Sequence, residues 1–434
     1  MSAFAFIKKK LLSTIDSIDS DRAKFVNSEK AFTRNRKIRF KDVLLFLLSL
    51  EQNSLNKELL EFYSYSPSSP SSSAMLQQRA KISPSVFPVL LHQFTSSCQK
   101  SWTYLGYLLL AVDGSDFSFP ENPSEPDCHF KKKKERKGYS QIHVNAIYNL
   151  MDKVYEAVCI QPGKKKNEHQ ALIEMIHSIK RTGKILLFAD RGYESYNTFA
   201  HILEKKWDFL IRGRQGRSTI LSGLSIPEEE EEFDKTITLT LSNRDKRKGE
   251  EFPGKWKRLW ATVKFDFFKE DKTPYTLTFR VVRIKISETV TEVLYTSLPK
   301  ERVSAEQLRD LYALRWGIET SFRKLKYTIG ASAVHSKKKM YVMQEIYVKL
   351  ILYNCFELMA GDAEKTKAKG KENKRINFSM ASYICAQYLK NNRNLTGRKA
   401  KYLVQQYQEP VRKGRVYKRD LIPKRAISFQ HRLL

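Results

Sequence analysis

Apolar and polar positions divide the chain into stretches of different period. Up to residue 100 the pattern is helical. An apolar run at Val43–Leu50 is followed by helical candidates at Leu55–Tyr63, Ala74–Ile82 and Val86–Phe94, with a Ser/Pro-rich turn at Ser64–Ser73. Short helices around a tight polar break predict a compact module, either a helix-turn-helix or a plain helical cap. Residues 101–215 alternate. Leu105–Val112 and Lys184–Ala189 are short apolar runs that end in Asp-Gly and Asp-Arg-Gly, so both read as buried strands closed by turns. Tyr139–Leu150 and Val154–Ile160 read as two more strands, Glu168–Ile179 and Tyr196–Lys205 as helices, and Trp207–Arg212 as a strand. The order β-β-β-α-β-α-β predicts a mixed sheet carrying helices, an α/β fold.

Residues 216–303 change character. Four strand-like runs, Thr236–Leu241, Arg258–Phe268, Tyr275–Ile286 and Thr291–Leu298, are separated by charged turns. This predicts an all-β block after the α/β block. One helix is then expected from Ser304 to Ile329, opened by the capping box Ser304-Ala-Glu-Gln, and another over Tyr341–Ala360. From Lys365 the chain is polar and basic, first loop-like and then weakly helical.

Composition narrows the class. Among 434 residues, 78 lysines and arginines face 47 carboxylates, a net charge of +31. A charge this positive calls for an anionic partner, and nucleic acid is the commonest. The apolar runs fall short of the roughly 18 residues a bilayer span needs. The N-terminus MSAFAFIKKKLL places its lysines after the apolar stretch, unlike a secretory signal. Five scattered cysteines without a CxxC pair exclude the usual cysteine zinc site and fit a reducing cytosol.

The helix after Ser304 carries YALRWGIETSFRKLK, residues 312–326. At helical pitch Tyr312, Arg315, Glu319 and Lys326 fall in one stripe about 60° wide, beside an apolar stripe. Alone, that is an ordinary amphipathic helix with an i, i+4 pair at Arg315–Glu319. Likewise a single aspartate after a strand is usually a turn former. Together, Asp113 and Asp190 at strand ends and Glu319 on a helix form a set of hard oxygen ligands without histidine or cysteine, suited to Mg²⁺ or Mn²⁺. Two ions about 4 Å apart would stabilise the attacking and leaving oxygens of a phosphodiester displacement.

The spacing Tyr312-(2)-Arg315-(3)-Glu319-(6)-Lys326, with Trp316, Ile318 and Phe322, resembles the signature of the insertion-sequence-4 group of DDE transposases. Asp113 in AVDGS and Asp190 in FADRGY resemble that family's two catalytic aspartates, and AFTRNRKIRF (31–40) its N-terminal segment. The resemblance implies an RNase H-like core interrupted by a β-rich insertion. The expected division is an N-terminal helical DNA-binding domain (1–100), a first core part (101–215), the insertion (216–303), a last core part with the catalytic helix (304–364) and a basic tail (365–434). It also implies that Asp113, Asp190 and Glu319 hold two divalent ions and catalyse, with Tyr312, Arg315 and Lys326 on DNA phosphates. A homodimer would act on the inverted repeats of a bacterial insertion sequence and on target DNA, in the cytoplasm. Other readings are a domesticated DNA-binding protein and an RNase H-like nuclease without strand transfer. Some relatives flip a base onto an aromatic of the insertion. Trp256, Trp260 and Phe268 qualify by location, against a plainer role in strand packing. The lysine runs Lys131–Lys134 and Lys164–Lys166 could touch DNA or be solvated, and the acidic run Glu228–Glu232 reads as a solvated loop.

Overall fold

The computed structural model describes residues 2–411 except 35, 52, 99–101, 132–137, 217–218, 225, 227–231, 271–272, 288–289, 335, 367–373 and 391–393. Most of Lys131–Lys134, of Glu228–Glu232 and the end of the basic tail lie outside the described residues. Five helices come first: α1 (Ala3–Ser20), α2 (Phe40–Ser49), α3 (Leu55–Phe62), α4 (Ser72–Arg79) and α5 (Val86–Cys98). Then follow β1 (Leu108–Phe119), a two-residue β2 (His129–Phe130), β3 (Tyr139–Asn149), β4 (Val154–Pro162), α6 (Glu168–Ser178), β5 (Ile185–Ala189), α7 (Tyr196–Glu204) and β6 (Asp208–Arg212). Apart from the short β2, this is the order the alternation predicts.

The next four strands are β7 (Phe233–Ser242), β8 (Lys255–Arg258), β9 (Tyr275–Ser287) and β10 (Val290–Thr296). They do not form a separate sheet. β10 pairs antiparallel with β6, and one ten-stranded sheet runs β2-β3-β1-β5-β6-β10-β9-β7-β8, with β4 also on β3. The expected strand Arg258–Phe268 stops at Arg258. Its aromatic residues instead gather in a loop, where Phe265 packs on Phe268 and Tyr275 with ring centroids 4.7 and 5.4 Å apart.

The helix expected from Ser304 to Ile329 is also broken. α8 (Ala305–Ala313) ends, Leu314 and Arg315 make a tight turn with i→i−3 hydrogen bonds, and α9 (Trp316–Arg323) begins. Residues Lys324–Thr328 then widen into a π turn, a form that recurs at functional sites. α10 (Lys339–Lys365) is long and largely buried. The tail is more ordered than its composition suggests. β11 (Lys374–Ile376) pairs with β12 (Gln408–Pro410), and between them lie α11 (Phe378–Leu389) and α12 (Gly397–Gln406). Both helices pack on α10.

Strand alternation sorts the core into two sides. Leu109 and Ala111 of β1 and Leu186 and Phe188 of β5 face one side, covered by α1, α5, α8, α9 and α10. Leu108, Leu110, Val112, Leu187 and Ala189 face the other, covered by α6 and α7. The N-terminal helices thus share a core with α10. Arg79 of α4 sits in that contact, 5% exposed. Its Nε donates to Gln344 at 2.7 Å, its Nη2 to the Tyr341 carbonyl at 2.9 Å, and its Nη1 and Nη2 to Glu345 at 3.3 Å. Among the described residues no helix is long and apolar enough to cross a membrane.

Candidate active site

β1 and β5 run parallel and adjacent, with Leu110 opposite Leu187 and Ala111 opposite Phe188. Two residues further, this register brings Asp113 level with Asp190. Alternation turns both to the side of Ala111 and Phe188, where α9 lies. α9 is seated there by Ile318 and Phe322 in the core, by Phe322 against Phe117 of β1, and by the Ser321 hydroxyl 2.9 Å from that of Tyr155 on β4. Its Glu319 is thus carried to the two aspartates.

The turn expected at Asp113-Gly114 is absent: β1 runs through both residues to Phe119, paired with β3, whereas Asp190 opens a tight turn after β5. The Gly114 N–H donates to Asp113 Oδ1 and the Gly192 N–H to Asp190 Oδ1, both at 2.8 Å. Burial raises the Asp113 pKa to about 7. The Gly114 N–H and Arg315 oppose that rise, while the charges of Asp190 and Glu319 add to it. Hard oxygen ligands that repel one another suit a divalent cation. Among the described residues, however, no three His, Cys, Asp or Glu groups already stand as a formed metal cluster.

The remaining signature residues frame this centre. Arg315, 5% exposed, donates from Nη2 to Glu319 Oε1 at 2.8 Å, lies against the Tyr312 and Trp316 rings, and has a buried Nε without a hydrogen-bond partner. The buried Tyr312 donates its hydroxyl to the Ala189 carbonyl at 3.4 Å, bracing the strand end before Asp190. Lys326 lies 4.7 Å from the Phe117 ring centroid, and burial lowers its pKa against the pull of Asp116 and Asp113.

Two residues beside the centre, His143 and Glu168, have no sequence motif. Asp116, His143 and Glu168 cluster on the opposite side of β1 from Asp113. His143 Nδ1 lies 2.6 Å from Asp116 Oδ1, and its Nε2 lies 3.0 Å from Glu168 Oε1. Burial works against charge on His143, but these carboxylates outweigh it and raise its pKa to about 8. The sequence trace of the cluster is the stretch Asp113-Gly-Ser-Asp, which supplies both Asp116 and Gly114. A Cβ on Gly114 would stand 2.5 Å from His143 Nε2.

Other sequence candidates lie apart. Lys164 donates to the Pro126 carbonyl, Lys165 pairs with Asp127 at 2.8 Å, and Lys166 lies 3.7 Å from Asp116. Trp260 is 67% exposed under Arg258, Trp256 is partly buried under Arg244, and Phe268 packs on Phe265.

The raised Asp113 pKa makes a prediction. Between pH of about 4 and 7 the fold holds a proton on Asp113 that the unfolded chain has lost. Stability therefore falls as pH rises through that window and levels off above 7. In EDTA, Asp113→Asn is expected to melt progressively higher than the parent as pH rises from 5 to 7, by about 2–4 °C at the plateau. A melting difference independent of pH would contradict the charge crowding.

The transposase of insertion sequence IS4 from Escherichia coli K12, InsG, is 25% identical over 259 residues, 58% of this chain and 52% of that protein. The transposase of insertion sequence IS421 from Escherichia coli is 38% identical over 73 residues, 17% of this chain and 20% of that one. The chain thus spans about half the length of the first and a fifth of the second. A solved piggyBac transposase synaptic complex with hairpin DNA aligns over 92% of this chain and 83% of its own, at 12% identity and a TM-score of 0.49. Residues 104–355, more than half of the chain, match the transposase DDE domain, and the chain belongs to the DDE transposase family, in its IS4 group.

Proposed function

We propose that this chain is the transposase of a bacterial insertion sequence, cutting phosphodiesters at the ends of its element and joining them to target DNA. One observation carries the reading: two adjacent parallel strands present Asp113, within β1, and Asp190, just past the end of β5, to the side where α9 carries Glu319. In this reading residues 101–215 and 304–364 form an RNase H-like core and 216–303 its β-rich insertion. Asp113, Asp190 and Glu319 would hold Mg²⁺ or Mn²⁺, and two such ions supply Lewis-acid stabilisation of the attacking and leaving oxygens.

The protein's own groups do the rest. Arg315 fixes Glu319 and offers its guanidinium to a phosphate, for which the planar fork is suited. Lys326 adds a second cation beside Asp113, and Tyr312 holds the strand end that positions Asp190. Water, and then the freed 3′-hydroxyl, would be the nucleophiles. A homodimer would pair two element ends.

The N-terminal helices suit a role in gripping DNA. A cleft of about 570 Å³ is lined by Arg22, Lys30, Arg34, Arg36 and Lys81 around Phe32, within the stretch AFTRNRKIRF and its neighbours. Removing both exposed arginines, Arg34→Ala with Arg36→Ala, is expected to weaken binding of duplex DNA and to reduce the steepness of its salt dependence by about 1.8, at about 0.9 per phosphate contact. Filter binding between 50 and 200 mM salt measures this, at about those concentrations. An unchanged slope would remove the cleft from the DNA surface.

The deciding experiment supplies Mg²⁺, a precut element end with a free 3′-hydroxyl, and a target plasmid. Covalently joined product supports the transposase reading. Nicking without joining indicates an RNase H-like nuclease, and binding without either indicates a domesticated DNA-binding protein.

A further inference from the structure

Behind Asp113, on the side of β1 away from α9, lies a closed polar contact. His143, on β3 and 2% exposed, stands opposite Asp116 in the antiparallel β1–β3 register. One ring nitrogen reaches Asp116 at 2.6 Å and the other reaches Glu168, the first residue of α6, at 3.0 Å. Glu168 in turn stands between two backbones. Its Oε1 lies 3.0 Å from where a Cβ on Gly114 would be, and its Oε2 lies 3.7 Å from the corresponding point on Gly192. These glycines supply the N–H groups that fix Asp113 and Asp190. The next residue of α6, His169, has its ring against Tyr193 of the Asp190 turn, with centroids 6.1 Å apart. The start of α6 thus meets the middle of β1 through His143 and Gly114, and the Asp190 turn through Gly192 and Tyr193.

We propose that His143 is a positioning residue of the DDE centre. By gripping Asp116 and Glu168 it ties β1 to the start of α6, and so fixes the separation of Asp113 from Asp190. His143 itself lies on the far side of the sheet and touches no reacting atom. The proposal rests on the reading of Asp113 and Asp190 as metal-holding carboxylates. Groups that orient ligands in this way change metal affinity by about 10–100-fold when removed, without being ligands.

The test is calorimetric titration of the full chain with Mn²⁺ at fixed pH, alongside thermal melting. Three variants are compared with the parent: His143→Ala, His143→Gln and Asp190→Asn. Asp190→Asn is expected to abolish tight Mn²⁺ binding. His143→Ala is expected to weaken it by about 10–100-fold. His143→Gln, able to donate to one carboxylate, is expected to fall between the parent and His143→Ala. A merely structural role for His143 would lower the melting temperature and leave the Mn²⁺ dissociation constant unchanged, and that result overturns the proposal. If Asp190→Asn binds Mn²⁺ like the parent, the assignment of the centre itself has failed instead. Should His143→Ala not fold, Gly114→Ala decides, because a Cβ there crowds His143 and Glu168 while Asp113, Asp190 and Glu319 keep their side chains. An unchanged Mn²⁺ affinity in Gly114→Ala also overturns the proposal.

Discussion

Exchanging Glu319 for Gln, Asp190 for Asn or Asp113 for Asn is expected to stop cleavage of a labelled element end, with rates down by about 10³-fold or more. Several kcal/mol of transition-state stabilisation depend on these oxygens, and each 1.36 kcal/mol is about tenfold in rate. The three losses should be of similar size and should not add in combination, because the carboxylates act as one unit. Binding of the same DNA without metal should be retained, since none of the exchanges removes a cation. Gel-shift titration and end-cleavage assays on the same preparations separate the two effects. A variant that cuts at the parent's rate would take its residue out of the centre. Glu319→Gln has one added consequence. The amide cannot carry the charge that pairs with Arg315, so the buried guanidinium loses its partner at 2.8 Å.

The largest effect on stability is expected from Arg79→Met. Arg79 and Glu345 are 5% and 7% exposed, and Gln344, the Tyr341 carbonyl and the Tyr341 ring complete the arginine's shell. Removing the cation leaves the Glu345 carboxylate buried with the Ser336 hydroxyl, which donates to it at 2.6 Å. Breaking a buried pair from one side costs about 3–5 kcal/mol. Urea denaturation should show that loss, and Arg79→Met combined with Glu345→Leu should recover much of it, because the buried carboxylate is removed together with its arginine. If the double variant is as unstable as the single one, packing of the arginine rather than its charge holds α4 to α10.

Much of this architecture is legible from periodicity. The first five residues of β1, all of β5 and the middle of β6 are buried and read as continuous apolar runs; Asp190 follows the end of β5 as expected, whereas Asp113 lies inside β1, whose pairing with β3 carries the strand through the Asp-Gly pair to Phe119. Ser304 and Gln307 form the capping box their spacing announces. The break after Ala313 is not legible, because the tight turn at Leu314 and Arg315 needs neither proline nor a positive φ. Arg315 is drawn inward by Glu319 and by the rings of Tyr312 and Trp316. The sequence Phe265-Asp-Phe-Phe mimics strand alternation. There the Asp266 carboxylate is held instead by Asn197 and His201 of α7, each at 2.9 Å, which pins the segment as a loop. His143 and Glu168 escape detection for a simpler reason: their partners come from separate elements, and only the sheet register and the start of α6 bring them together. The ordered tail was hidden by its charge, since α12 buries only a narrow stripe that includes Ala400 and Val404.

The single continuous sheet sets the order in which the protein can come of age on the ribosome. Asp113 and Asp190 emerge early, on strands that pair with each other. Glu319 follows only after β7, β8, β9 and β10 have been made, and β10 lies on β6 in the finished sheet. Such distant pairings are slow to form. A nascent or prematurely terminated chain that ends within the insertion therefore carries the basic N-terminal cleft and two aspartates but lacks the third carboxylate. It could occupy an element end without cutting it. On the proposed reading, the capacity to cut would be withheld until translation has passed the last strand of the sheet and reached Glu319.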